Sequence, residues 1–168
     1  MSFKQLSQDR FTVRKFDSDR TVEREKLAEV LEQVQLAPTA ANMQPQLIKI
    51  FETPEELAIA DQISRCRYGS PLAVLVCYDS SKTIKHANLD AGVIDCSIIA
   101  THMMLRACEL GLGSCWAIGF DPDKARELLN LPEHIVPVVF MPIGYAAADC
   151  TPNPKHSETK PLAEMLLK

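Results

Sequence analysis

Asn88-Leu89-Asp90-Ala91-Gly92-Val93-Ile94-Asp95-Cys96-Ser97-Ile98-Ile99-Ala100-Thr101-His102-Met103-Met104-Leu105-Arg106-Ala107-Cys108-Glu109-Leu110 is the stretch that decides the fold. Apolar residues sit nearly all round its helical wheel: Val93, Ile94, Cys96, Ile98, Ile99, Ala100, Met103, Met104, Leu105, Ala107 and Cys108. A helix apolar on every side is a buried, central one. It would be about 34 Å long, a full domain diameter. A single small domain struggles to cover such a helix, so the stretch predicts a partner subunit as well as a core. Gly111 and Gly113 close it.

Working outward, Val22 to Ala37 predicts a helix, because Leu27, Val30, Leu31 and Val34 recur at i, i+3, i+4 and i+7. Thr21 is its expected cap, and Pro38 ends it. Leu47 to Phe51 predicts a short strand, and Pro54 to Ile63 a helix with proline in its first turn. Pro71 to Tyr78 is continuously apolar and rich in β-formers, the mark of a strand covered on both faces. After the long helix come a strand at Ser114–Ile118, a helix at Pro122–Leu129 and a strand at Val136–Gly144. Asp149 to Lys168, with Pro152, Pro154 and Pro161, reads as a tail laid over something. Helices and strands mix without strict βαβ alternation, so the fold class is α+β, in one domain over residues 1–168.

The composition agrees: 168 residues, 46 % hydrophobic and 24 % charged, belong to an ordinary globular domain. The net charge of −4 disfavours nucleic acid as a partner. Six cysteines are scattered with no C-x-x-C pair, and the first residues lack a signal peptide's apolar core. Both point to reduced thiols in a cytoplasmic protein. The longest uncharged apolar stretch, Ile135 to Ala148, is 14 residues, short of the roughly 20 a membrane span needs.

No G-x-G-x-x-G and no P-loop is present, which disfavours both nucleotide folds. The four histidines form no metal-binding spacing. His102 reads as a core or cleft histidine, and Cys115 as an inert buried thiol unless a histidine approaches it. Three clusters carry chemistry. In Arg10-Phe11-Thr12-Val13-Arg14-Lys15-Phe16 an extended backbone points Arg10, Thr12 and Arg14 the same way. Two guanidiniums flanking a hydroxyl suit a phosphate, although a solvated surface strand has the same pattern. In Ala37-Pro38-Thr39-Ala40-Ala41-Asn42-Met43-Gln44-Pro45-Gln46, polar groups alternate with small residues between prolines. That suits the polar edge of a flat ligand, or an ordinary helix-to-strand loop. In Gly111 to Phe120, small residues let backbone approach a ligand, or simply pack the long helix on a strand.

Taken together these motifs resemble the FMN-dependent nitroreductase family. Its R-R-S-x-R-x-F opening is similar to Arg10–Phe16, and its A-P-S-x-x-N-x-Q-P segment to Ala37–Pro45. Its G-L-G-S-x-W-x-x-G segment is similar to Gly111–Gly119, and its ending to Gly144-Tyr145 with Lys160-Pro161-Leu162. The resemblance implies an intertwined homodimer with a central mixed sheet, flanking helices and a long buried helix. It implies two FMN molecules at the interface. Arg10, Phe11, Thr12 and Arg14 of one subunit would hold the phosphate and ribityl side. Pro38, Thr39, Ala40, Asn42 and Gln44 of the other would line the ring, and Trp116, Ala117, Ile118 and Gly119 would lie along it. Lys155 or Lys160, from the tail over residues 149–168, would complete the phosphate clamp. Phe11 stands where the family has a second arginine. The implied activity is hydride transfer from NAD(P)H through flavin to a nitroaromatic, quinone or similar small electrophile by a ping-pong mechanism. No catalytic side chain, metal, nucleic acid or membrane is called for. The other readings are a relative with one dedicated substrate, a flavin-storage protein, and a thiol hydrolase using Cys115 and His102.

Overall fold

The computed structural model describes residues 1–167. Its helices are α1 (Phe3–Asp9), α2 (Arg24–Leu36), α3 (Pro54–Ile63), α4 (Ala91–Glu109) and α5 (Pro122–Leu128). Its strands are β1 (Gln46–Phe51), β2 (Ala73–Asp79), β3 (Lys85–His86), β4 (Leu89–Asp90), β5 (Gly113–Ser114) and β6 (Ile135–Gly144). Four of them form the main sheet in the order β1-β2-β6-β5, and β3 pairs only with β4. The ladders are antiparallel. The sheet is mixed only at its edge, where Thr12 makes a parallel bridge to Ser114.

β2 is buried along its whole length and sends its side chains to two cores. Val74, Val76 and Tyr78 meet α2 and α4, packing with Cys96, Ile99, Ala100, Met103, Val139, Met141 and Ile143. Ala73, Leu75 and Cys77 meet α3 and α5, packing with Phe51, Ala60, Ile63, Ala125 and Phe140. This is why an antiparallel strand here reads as an unbroken apolar run: helices cover both faces. Fully buried side chains such as Phe51 and Phe140 each contribute about 1.5–3 kcal/mol. Val138 is the extra residue at a register shift between β2 and β6, next to Pro137. Proline has no N–H to give the ladder, so a break there costs little.

Several elements depart from the sequence reading. α4 starts at Ala91, not Asn88, because Leu89 and Asp90 belong to the small hairpin and Asp90 is the cap, accepting the Gly92 N–H at 3.0 Å. Gly92 is needed there, since a Cβ would lie 2.2 Å from the Tyr78 ring. α2 starts at Arg24 behind Glu23, and no side chain caps it; Thr21 lies outside. The strand expected at Ser114–Ile118 is a two-residue pairing followed by an Ala117–Phe140 bridge. α1 was not foreseen; it has no buried residue and no apolar periodicity to betray it. α4 is long and apolar enough to cross a bilayer by length and composition, yet one face of it packs in the core. Its other face is open: Val93 and Ile94 are 42 % and 46 % exposed.

α3 begins with a capping box. Thr53 Oγ1 accepts the Glu56 N–H at 3.3 Å, and the Glu56 carboxylate accepts the Thr53 N–H at 3.3 Å. The Lys49 ammonium, then the backbone N–H groups of Glu52 and Thr53, pull the Glu56 pKa from 4.5 to about 2. A depressed folded-state pKa means this stabilisation is complete above the unfolded value and fades as pH falls toward the folded one. Glu56→Gln is therefore expected to cost a constant amount of stability near neutrality. The gap to wild type should shrink from about pH 5 and close near pH 2. Denaturant melts of both proteins across that range check this; a gap that widens on acidification would contradict it.

Candidate functional site

Thr12 and Arg14 are carried out of α1 by an extended segment that docks on the edge of the sheet. The Val13 N–H donates to the Ser114 carbonyl at 3.0 Å. Gly113 makes room, because a Cβ there would sit 2.5 Å from a Val13 methyl. Val13 and Phe16 point into the protein, so Arg10, Thr12 and Arg14 face outward. They line a cavity of about 340 Å³ with Phe11, Asn153, Lys155 and His156. A neighbouring hollow shares Thr12, Arg14 and Asn153. The tail reaches this place because Lys15 pairs with Asp149 and the His156 ring lies 3.3 Å from the Gln8 carbonyl. Lys155 is thus beside the arginines, while Lys160 is exposed and not part of the cavity.

Neither Arg10 nor Arg14 makes an ion pair among the described residues, and neither does Lys155. Three cations without ion-pair partners among the described residues, around one hydroxyl, could hold an anion such as a phosphate.

The segment after Ser114 runs from the same edge. The N–H groups of Cys115 and Ala117 bond back to the carbonyls of Pro142 and Phe140. Those of Trp116, Ile118 and Gly119 have no acceptor among the described residues, and Ile118 is 71 % exposed. The Trp116 indole N–H is buried and likewise unpartnered. Gly119 is anchored by its carbonyl, which accepts the Ser64 hydroxyl at 2.8 Å. Free backbone N–H groups therefore lie along the segment that follows β5, joined through Ser114 to Thr12 at the cationic cavity.

The loop between α2 and β1 is elsewhere. Cavities holding Arg10 or Gly119 include none of its residues. Pro38, Asn42 and Gln44 are exposed, and Thr39 and Ala40 half-buried. Ala41, Asn42 and Gln44 all have positive φ, at 48°, 55° and 49°. Non-glycine residues rarely adopt that region, and a cluster of them marks functional loops. Thr39 Oγ1 accepts the Gln44 N–H at 3.1 Å, and the Ala40 N–H is held by Asp95 of α4 at 2.9 Å. The loop therefore adjoins α4, whose outer face forms an apolar groove of about 430 Å³ lined by Val93, Ile94, Ser97, Ile98, Thr101 and His102.

His102, read as a core or cleft histidine, is half-buried on this groove. Cys115 is buried, and burial pushes its thiol pKa up although Arg14 opposes the shift. A nucleophilic cysteine needs the opposite environment. Asp95 was not singled out in the sequence, although a carboxylate on an otherwise apolar helix is the signal that could have found it.

The sequence model of the nitroreductase family matches residues 8–68 and 68–145. A Methanothermobacter thermautotrophicus protein with the provisional name NADH dehydrogenase/NAD(P)H nitroreductase is 31 % identical over 148 residues, spanning 82 % of this chain and 74 % of its own. The crystal structure of a nitroreductase family protein from Clostridium difficile 630 superposes with a TM-score of 0.92 at 35 % identity, covering 99 % of this chain and 98 % of that one. A provisionally named nitroreductase from Exiguobacterium sibiricum 255-15, solved in complex with FMN, shares the fold with a TM-score of 0.85 at 18 % identity, covering 100 % and 97 %.

Proposed function

The chain belongs to the nitroreductase family, and on that premise we propose that it is an FMN-dependent oxidoreductase acting as a homodimer, with NAD(P)H as donor and a small conjugated electrophile as acceptor. The observation that carries this is the mounting of two features on one edge. A cationic cavity suited to a phosphate and a segment of free N–H donors after β5 are joined by the Thr12–Ser114 bridge. The donor set fits FMN: Arg10, Arg14 and Lys155 with the Thr12 hydroxyl match a phosphate monoester, and no pyrophosphate loop is present. The chemistry FMN supplies when bound is two-electron transfer from NAD(P)H to an acceptor such as a nitroaromatic or quinone, in two half-reactions.

The chain's own part is binding and placement. Arg10 and Arg14 give bidentate charge-assisted bonds, and Lys155 a point charge. The N–H groups of Trp116, Ile118 and Gly119 are spaced to meet the polar edge of a ring and stabilise charge developing there. The Pro38–Gln44 loop stands apart from the cavity of its own protomer, so a second protomer would bring it to the ring. Three features support that dimer. The α4 groove is apolar and open. Leu162, Met165 and Leu166 of the tail are 56–70 % exposed. Met43 and Leu47, beside the loop, are 45 % and 47 % exposed. Obligate interfaces of this apolar kind commonly exceed about 2,000 Å².

The purified protein is expected to be yellow, to release FMN on denaturation, and to bleach under anaerobic NADH or NADPH. Adding a nitroaromatic or quinone should restore the colour. A colourless protein that also refuses FMN in titration would overturn the proposal. Bound FMN that neither nicotinamide bleaches would point instead to a storage protein.

A further inference from the structure

Asp95 lies on α4, is 2 % exposed, and uses one carboxylate oxygen on the Ala40 N–H. Its other oxygen, Oδ2, is buried with no donor among the described residues. A buried carboxylate with a single hydrogen bond is costly, so the fold must gain something from keeping it. Its one bond goes to the first residue of the Ala40–Asn42 turn, just before the run of left-handed residues Ala41, Asn42 and Gln44. Such a backbone persists only when its surroundings over-determine it. The other hydrogen bonds of the turn stay within the loop, so among the described residues this contact is the hydrogen bond from the Ala40–Asn42 turn to the core.

We propose that Asp95 is a positioning residue for the flavin ring: it pins the Pro38–Gln44 loop in the shape that lines the ring, through the Ala40 N–H and not through its charge. The inference rests on the FMN reading above. It assigns to α4 a second task besides filling the core. It also makes a specific distinction between ligand ends, because a defect in ring contact must be felt equally by flavins with and without a phosphate.

Three variants separate the possibilities. Asp95→Ala removes the acceptor. Ala40→Pro removes the donor without touching α4; Thr39 is already extended at φ −128°, ψ 156°, as a residue before proline must be, and a first helical position accepts proline. Asp95→Asn keeps an oxygen for Ala40 and discards the charge. Apoproteins are titrated with FMN and with riboflavin, with visible circular dichroism of the bound flavin and thermal melts of the apo forms in parallel. Asp95→Ala and Ala40→Pro are expected to weaken both flavins by the same factor, about tenfold or more, as for loss of one charge-assisted bond. The dichroism of the bound ring should change with them. Asp95→Asn should stay within about threefold of wild type, at the scale of a preserved neutral bond. If Asp95→Ala does not fold, Ala40→Pro alone decides. Lower melting temperature with unchanged affinity and dichroism in both disruptive variants would overturn the inference, leaving a merely structural residue. So would Asp95→Asn failing as badly as Asp95→Ala. Wild-type protein that binds neither flavin would overturn the FMN reading instead.

Discussion

Ile94→Asp is expected to give a folded monomer that purifies without FMN. Ile94 stands on the open face of α4, 46 % exposed in a single protomer, so the change leaves the core untouched. Aspartate costs about 0.7 kcal/mol or less in a helix interior, too little to unfold the domain. In the assembled dimer the same side chain would place a carboxylate in the apolar groove of Val93, Ile98 and Thr101. An uncompensated buried charge costs about 3–5 kcal/mol. A two-fold interface repeats every change, so two copies raise the dimer dissociation constant by more than roughly 10⁴-fold. On the proposed arrangement, the flavin would then lose the Pro38–Gln44 wall of the second protomer. Sedimentation velocity at micromolar protein, with far-ultraviolet circular dichroism to verify folding, measures this. A dimeric, FMN-loaded Ile94→Asp protein would remove α4's outer face from the interface.

Arg10→Ala is expected to weaken FMN and spare riboflavin. A charge-assisted hydrogen bond is worth about 1.5–3 kcal/mol, which is roughly 10- to 150-fold in dissociation constant. Riboflavin lacks the phosphate, so its affinity should hardly move. Folding should survive, because Arg10 is half-buried and makes no ion pair among the described residues. With FMN saturating, turnover should also survive, since the proposal puts the arginine at the phosphate end and away from the ring. Fluorescence titrations of both flavins decide it. An equal loss for both, or no loss for either, would take Arg10 out of the phosphate site. Asp95→Ala is expected instead to weaken both flavins equally, so the two variants together distinguish the two ends of the ligand.

Much of this architecture was legible because local rules agreed with packing. Pro54 marked the start of α3 to the residue, and the apolar run before Asp79 marked a strand with two covered faces. The misreadings share a cause. Leu89 continues the apolar pattern of α4, and only the tertiary hairpin takes it and the capping Asp90 away. Thr21 looks like a cap, but the chain turns two residues later at Glu23. In the site, the outward pattern of Arg10, Thr12 and Arg14 followed from strand periodicity. The choice between Lys155 and Lys160 did not, because it depends on how the tail lies against α1. Nor could any periodicity disclose that Asp95 holds Ala40, since that bond joins residues 55 positions apart.

That wide separation in sequence is general in this molecule, and it bears on how the chain is made. Synthesis delivers Val13 about a hundred residues before Ser114, so the segment after α1 has no edge to dock on until Ser114 has been added. β2 appears with one neighbour, β1, and waits for β6, beyond residue 135, to cover its other side. Pairings this distant close slowly and leave apolar surface exposed meanwhile. The cationic cavity is later still, since its lining is incomplete until Asn153, Lys155 and His156 have followed.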